Sequence, residues 1–137
     1  MQLHRARSDF DAAGVELVLI GQGGPRQAAH FRRRQGVELQ VLADEKRASY
    51  RAAGAKVATM SELVGPKSVA QGALKTVRSA GKVRQGKVIG HPAQLGGTLL
   101  VVPDGSVTWS HMSEDAGDNA SPADILAAAE RAAPRKA

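Results

Sequence analysis

Hydrophobic positions along the 137-residue chain alternate between helical and strand spacing, and the alternation predicts an ordered set of elements. Leu3, Ala6, Phe10 and Ala13 fall on one helical face, with Gly14 suited to end the helix. Val15–Ile20 follows as a strand, and its near-continuous apolar character predicts burial on both faces, as in a parallel sheet. Pro25 suits the first turn of a helix running to Gln35 and stopped by Gly36. Leu39–Ala43 reads as the second strand. Two strands joined by one helix make a right-handed βαβ unit.

Asp44 then predicts a cap for the short helix "EKRASYRAA", which Gly54 ends. A longer helix is expected over Pro66–Ala80, with Val69, Ala70, Ala73, Leu74 and Val77 as its core stripe. Residues 81–95 read as a basic, glycine-dotted loop. Thr98–Val102 and Ser106–His111 form a hairpin, with Pro103 presetting φ and Gly105 supplying a left-handed residue. A last helix begins at the cap Ser121, with Pro122 in its first turn and Asp124 at the capping-box position. The tail "PRKA" is the only short biased segment, and there are no internal repeats. The pattern is α/β, with a mixed sheet that joins a parallel pair to an antiparallel pair, in one domain spanning residues 1–137.

Composition narrows the chemistry. Apolar residues make up 42%, much of it alanine, and the aromatics are Phe10, Phe31, Tyr50 and Trp109 alone, so the core is expected to be aliphatic. No apolar run reaches the ~20 residues of a membrane span, and the first residues lack a secretory h-region. The cytoplasm is therefore the expected location, with no membrane partner. There are no cysteines, which excludes disulfides, thiolate metal sites and a thiol nucleophile within the chain. No cofactor is expected.

Net charge is +6, and its excess lies in residues 63–103, which carry six basic side chains and no acidic one. Such a run is either an anion-facing patch or a solvated face. It holds no aromatic residue for stacking bases and no nucleic-acid motif, so nucleic acid is not the expected partner.

Three local patterns are candidates for a site. The turn Gly21, Gln22, Gly23, Gly24 with Asp44 beyond the next strand has the layout of a dinucleotide or anion loop. Arg26 stands where the third glycine of that fingerprint belongs, Asp44 serves equally as a helix cap, and a tight turn explains the glycines. His111, Asp115 and Asp118 in "HMSEDAGD" could supply metal ligands, but a polar turn accounts for them and their spacing fits no calcium loop. Serines and four scattered histidines make no nucleophile elbow.

Taken in order, "GVELVLIGQG", "VLADEKRASYRAAG", "QGK…QLGGTLLVVPDG" and "SHMSEDAGDN" resemble the peroxiredoxin-like branch of the alkyl hydroperoxide reductase/thiol-specific antioxidant (AhpC/TSA) superfamily. The resemblance runs from Leu3 to Ala129. Glu45 stands where the family often has proline, and Lys87 where it often has aspartate. It implies a thioredoxin fold and thiol-based reduction of peroxides or disulfides. It also implies that Gly96, Gly97 and Thr98 form the loop beside the family's active-site cysteine and its substrate. The family's first core strand and cysteine motif have no counterpart in this sequence and would lie ahead of Met1. That strand would sit between Val15–Ile20 and Thr98–Val102. Without it, the two strands are expected either to pair directly, antiparallel, or to be completed by a second chain, as in a homodimer. Two functions follow. One is a peroxiredoxin-like redox protein without its own peroxidase activity, meeting a thiol-redox partner only in a longer form. The other is a non-catalytic interaction module.

Overall fold

A computed structural model describes residues 2–59 and 90–133. In chain order the elements are α1 (Gln2–Arg5), α2 (Arg7–Ala12), β1 (Val18–Gly21), α3 (Pro25–Gln35), β2 (Gln40–Ala43) and α4 (Ala48–Ala52). After the undescribed stretch come β3 (Gly97–Val101), β4 (Val107–Met112) and α5 (Pro122–Ala132). The expected helix over Pro66–Ala80, the loop up to residue 89, most of the basic stretch and the tail lie outside the described residues.

The βαβ unit forms as its pattern requires. β1 and β2 are parallel, with Val18 opposite Gln40 and Gly21 opposite Ala43, and α3 packs on β2. β3 and β4 are antiparallel, with Gly97 opposite Met112 and Leu100 opposite Trp109. A bulge follows, so that Val101 meets Val107 and Thr108 is left over. The turn closes by a bond from Gly105 N–H to the Val102 carbonyl (2.8 Å), with Gly105 at φ +87°. The result is an α/β, partial thioredoxin-like arrangement. Among the described residues no helix is long and apolar enough to cross a membrane.

Two expectations are corrected. β1 and β3 do not pair: β1 is bonded to β2 and β3 to β4, as two separate two-stranded sheets. The run Val15–Ile20 is not buried on both faces either, since Val18 and Ile20 are 42% and 45% exposed. The strand also starts later than its composition suggests. Val15 N–H bonds back to the Phe10 carbonyl (2.9 Å) and Gly14 N–H to that of Asp11 (3.1 Å), closing the end of α2. The first residues of the run are thereby committed to the helix end, and Val15 and Leu17 pack against Phe10.

Phe10, fully buried, organises the larger core with Ala120 and Ile125, and Leu3, Ala6, Val15, Leu17, Trp109 and Leu126 close around it. This cluster ties α1 and α2 to β4 and α5. A smaller one, Ala58, Ala93 and Leu95, joins the segment after α4 to the approach to β3. A two-stranded sheet is marginal alone, so each depends on these contacts.

Helix ends follow the sequence closely. Ser121 Oγ accepts the Asp124 N–H (3.1 Å) and donates to the Asp124 carboxylate (2.6 Å), with Pro122 in the first turn of α5. The first helix is split at Ala6 (φ −92°, ψ 11°), whose carbonyl accepts from both Asp9 and Phe10. α4 is shorter than expected. Arg47 ahead of it takes a left-handed φ of 54°, and Glu45 and Lys46 form a turn closed by Arg47 N–H on the Asp44 carbonyl (3.0 Å).

Candidate functional site

Three loops converge at the carboxyl ends of β1 and β2, and the glycine-bearing turns from the sequence belong to them. The first is Gly21–Gly24, leading from β1 into α3. The second is Asp44–Arg47, leading from β2 into α4. The third is Gly90–Gly96, which leads into β3. Two glutamines hold them together. Gln22 donates through Nε2 to the His91 carbonyl (3.2 Å) and accepts the His91 N–H on Oε1 (2.8 Å). Gln94 donates through Nε2 to the carbonyls of Lys56 (3.1 Å) and Leu95 (3.0 Å), and its Oε1 accepts from Arg47 Nη1 (3.0 Å). Around it, Val57 and Gln94 form an isolated antiparallel bridge, with Ala58 N–H on the Ala93 carbonyl (2.7 Å) and Leu95 N–H on that of Lys56 (2.9 Å).

The polar groups of this region are mostly spent on the chain itself. Asp44 accepts N–H bonds from Ala48 (3.0 Å) and Ser49 (2.8 Å) and the Ser49 hydroxyl (2.5 Å). These bonds, the hydroxyl's first, hold its carboxyl below the usual carboxylate value. Asp44 is thus the start cap of α4, reached from three residues ahead of Arg47. Tyr50 sends its hydroxyl to the Ile20 carbonyl (2.8 Å). Gly21 uses its own carbonyl to accept Asp44 N–H (2.8 Å) across the β1–β2 junction. Neighbouring strand carbonyls point to opposite sides, so the Ile20 carbonyl faces the edge of β1 away from β2, and Tyr50 covers it. Burial, and then the nearby Asp44 charge, push the Tyr50 phenol above its ordinary range.

At the mouth of α3, the Glu45 carboxylate and the Gln27 carboxamide crowd the space a side chain on Gly24 would need. The N-terminal end of a helix favours negative charge, and here Glu45 brings a carboxylate to it. Gly21–Gly24 therefore faces an acidic side chain of the same chain.

Gly96, Gly97 and Thr98 lie at the entry to β3. Gly97 leaves little room for a side chain: a Cβ there would come within 2.6 Å of the end of the Met112 side chain, which can swing aside, and 3.0 Å of the His111 carbonyl, which is fixed in the hairpin. A Cβ on Gly96 would meet nothing. Thr98 stands opposite His111, so their side chains share a face with Leu100 and Trp109. His111 stacks on Trp109 (centroids 6.4 Å apart) and pairs through Nε2 with Asp118 Oδ1 (2.8 Å). Asp118 also accepts the Glu114 N–H (2.8 Å), and Asp115 accepts those of Gly117 (2.7 Å) and Asp118 (3.0 Å). These carboxylates build the turn after β4, and no cluster of three metal-ligating side chains exists among the described residues. The Gln22 bonds link Gly21–Gly24 to His91, ahead of Gly96–Thr98.

The sequence gives no sign of Gln22, Gln94 or Arg47 as organisers. Their partners are 47 to 69 residues away, or lie in backbone whose course only the fold determines.

Acid sensitivity follows from the carboxylates. Asp44, Asp104 and Asp118 all sit below the usual 3.8, Asp104 because the Ser106 hydroxyl and N–H bind it and Asp118 chiefly because Glu114 N–H does. A carboxyl depressed in the folded state adds stability that is complete above its unfolded value and lost as pH falls through the folded one. Thermal melts should therefore fall as pH drops below ~4. Asp118→Asn should make that acid limb shallower. An unchanged limb would mean that Asp118 is not held by these bonds.

The family model for AhpC/TSA antioxidant enzymes matches residues 2–115. No curated protein and no solved structure gives a match. The matched span holds both sheets, α1 to α4 and the beginning of the turn built by His111 and Asp118, so the chain belongs to the AhpC/TSA antioxidant enzyme family.

Proposed function

We propose that this polypeptide is a non-catalytic member of its thiol-redox family, working in the cytoplasm as an interaction module and forming a homodimer through a sheet edge. The observation that carries the first part is the absence of any cysteine over a span that matches the family from residue 2 to residue 115. Reduction of a peroxide by a thiol enzyme needs a thiolate to attack the O–O bond and become the sulfenic acid. No side chain here can take that role. The His111–Asp118 pair offers an imidazole and a carboxylate, but no sulfur for them to activate.

The outer sides of the two sheets support the second part. Leu99, Val101 and Val107 are 41–55% exposed on the face of β3–β4 opposite the Trp109 core, and Val18 and Ile20 are exposed on β1. Exposed apolar strands in two-stranded sheets, to which no third strand is added among the described residues, favour pairing with another chain, and a two-fold contact between identical strands closes on itself. By family resemblance Gly96–Thr98 would border the groove such a partner enters.

Peroxide consumption with a thiol reductant should equal that of the buffer, and light scattering behind a sizing column should give twice the chain mass. Thiol-dependent turnover would overturn the first part. A monomer at every concentration would overturn the homodimer and leave the non-catalytic reading standing.

A further inference from the structure

Helix α3, "PRQAAHFRRRQ", carries four arginines and a histidine and no acidic residue. Arg26, Arg32, Arg33 and Arg34 are exposed, and among the described residues none has a hydrogen-bond or ion-pair partner on its side chain. Arg7 bonds Asp11 and Glu38 and Arg51 bonds the Lys46 carbonyl. Arg5 and Arg131 are exposed and unpartnered among the described residues too, but each stands singly on its own helix, so what sets α3 apart is the clustering of its arginines. The helix is ordered by Gly36 at its end and by packing on β2, while its flank stays open.

That flank has a defined shape. Residues four apart stack along a helix at ~6 Å, which creates two parallel rows, Arg26–His30–Arg34 and Gln27–Phe31–Gln35. These six residues line a cleft of about 310 Å³. Phe31 is only half-buried in it, although Ala28 and Phe31 are the sole residues of α3 that turn towards the protein. Two unpaired guanidinium groups, Arg26 and Arg34, with the His30 imidazole between them and an aromatic wall beside them, match a ligand with carboxylates along one side and an apolar group along the other.

We propose that this flank of α3 binds an acidic segment of a partner protein. Its carboxylates would lie on the Arg26–His30–Arg34 row, with an apolar side chain against Phe31. Guanidinium groups suit this task because they bind carboxylates in a planar, two-pronged geometry. Single-stranded nucleic acid fits the same charge less well, since it is held by successive aromatic platforms. The other three aromatics of the chain are committed: Phe10 is buried, Trp109 packs on the core and His111, and Tyr50 is tied to the Ile20 carbonyl. The proposal deepens the reading of the chain as an interaction module and rests on it. It uses a surface other than the sheet edges, so a monomeric protein without peroxidase activity would leave it intact.

The test is fluorescence anisotropy with a labelled helical peptide bearing glutamates at i, i+4 and i+8 and leucines beside them. Its glutamine counterpart and polyuridylate serve as competitors. Glutamate peptide should bind, weaken with salt, and bind at least ~10-fold more tightly than the glutamine peptide. The double variant R26Q/R34Q should lose roughly tenfold in affinity with an unchanged circular dichroism spectrum, since glutamine is a good helix former. R5Q/R131Q, which removes as many exposed arginines elsewhere, should bind like the parent. Equal binding of the two peptides, or equal loss in the two double variants, would overturn the proposal. So would polyuridylate displacing the glutamate peptide more effectively than unlabelled peptide does.

Discussion

Phe10→Ala is expected to cost about 3–5 kcal/mol of unfolding free energy, the range for emptying a buried aromatic site. The position is unusual in what it joins. Its ring is fully buried and touches or adjoins residues of α1, α2, the 15–17 segment, β4 and α5. Few of the surrounding side chains can move into the space, because Ala6 and Ala120 are small and Trp109 is stacked on His111. A domain of this size has ~5–15 kcal/mol in total, so one substitution removes a large part of it. Phe10→Leu, which preserves most of the volume, should cost much less, under ~1.5–2 kcal/mol. Urea denaturation of both variants checks this. A Phe10→Ala midpoint within about 1 kcal/mol of the parent would show that the cluster is not the core described above.

The contribution of Phe10 was visible in the sequence because a helix stripe is a local pattern. The same holds for the glycine stops, the Ser121–Asp124 cap and the Pro103–Gly105 turn, which depend on neighbours within a few residues, and the parallel β1–α3–β2 unit follows from the order of three such local patterns. The errors fall where local and distant demands compete. Val15–Ile20 is one apolar run, yet its first half is held by the end of α2 and the Phe10 cluster, and only its second half enters a sheet. Exposure of Val18 and Ile20 depends on which strands lie beside them, which hydrophobicity alone does not encode. Direct pairing of β1 with β3 looked favourable by counting unpaired strands, but the Ile20 carbonyl on that edge is bonded by Tyr50. The Gly21–Gly24 turn was legible as a turn. That Glu45 crowds it, and that Gln22 fastens it to residue 91, required the fold.

Gly90→Ala should be the second large effect, and it tests how that fastening works. Gly90 has φ +77°, a conformation that costs any other residue about 1–2 kcal/mol. A Cβ there would also lie 2.6 Å from Cγ and Cδ of Gln22. The Gln22 side chain is flexible in isolation, but its amide is anchored to both the N–H and the carbonyl of His91, so it can yield only by giving up those two bonds. Exposed bonds of this kind contribute on the order of 0.5 kcal/mol each, and the total for Gly90→Ala is about 2–3 kcal/mol. The two components separate in a double-mutant cycle. In a Gln22→Ala background there is no side chain to displace, so Gly90→Ala should there cost only its backbone share, about 1–2 kcal/mol. The coupling measured by urea denaturation is then close to the strength of the Gln22–His91 clasp itself. An identical cost in both backgrounds would mean that the clasp is not what Gly90 makes room for.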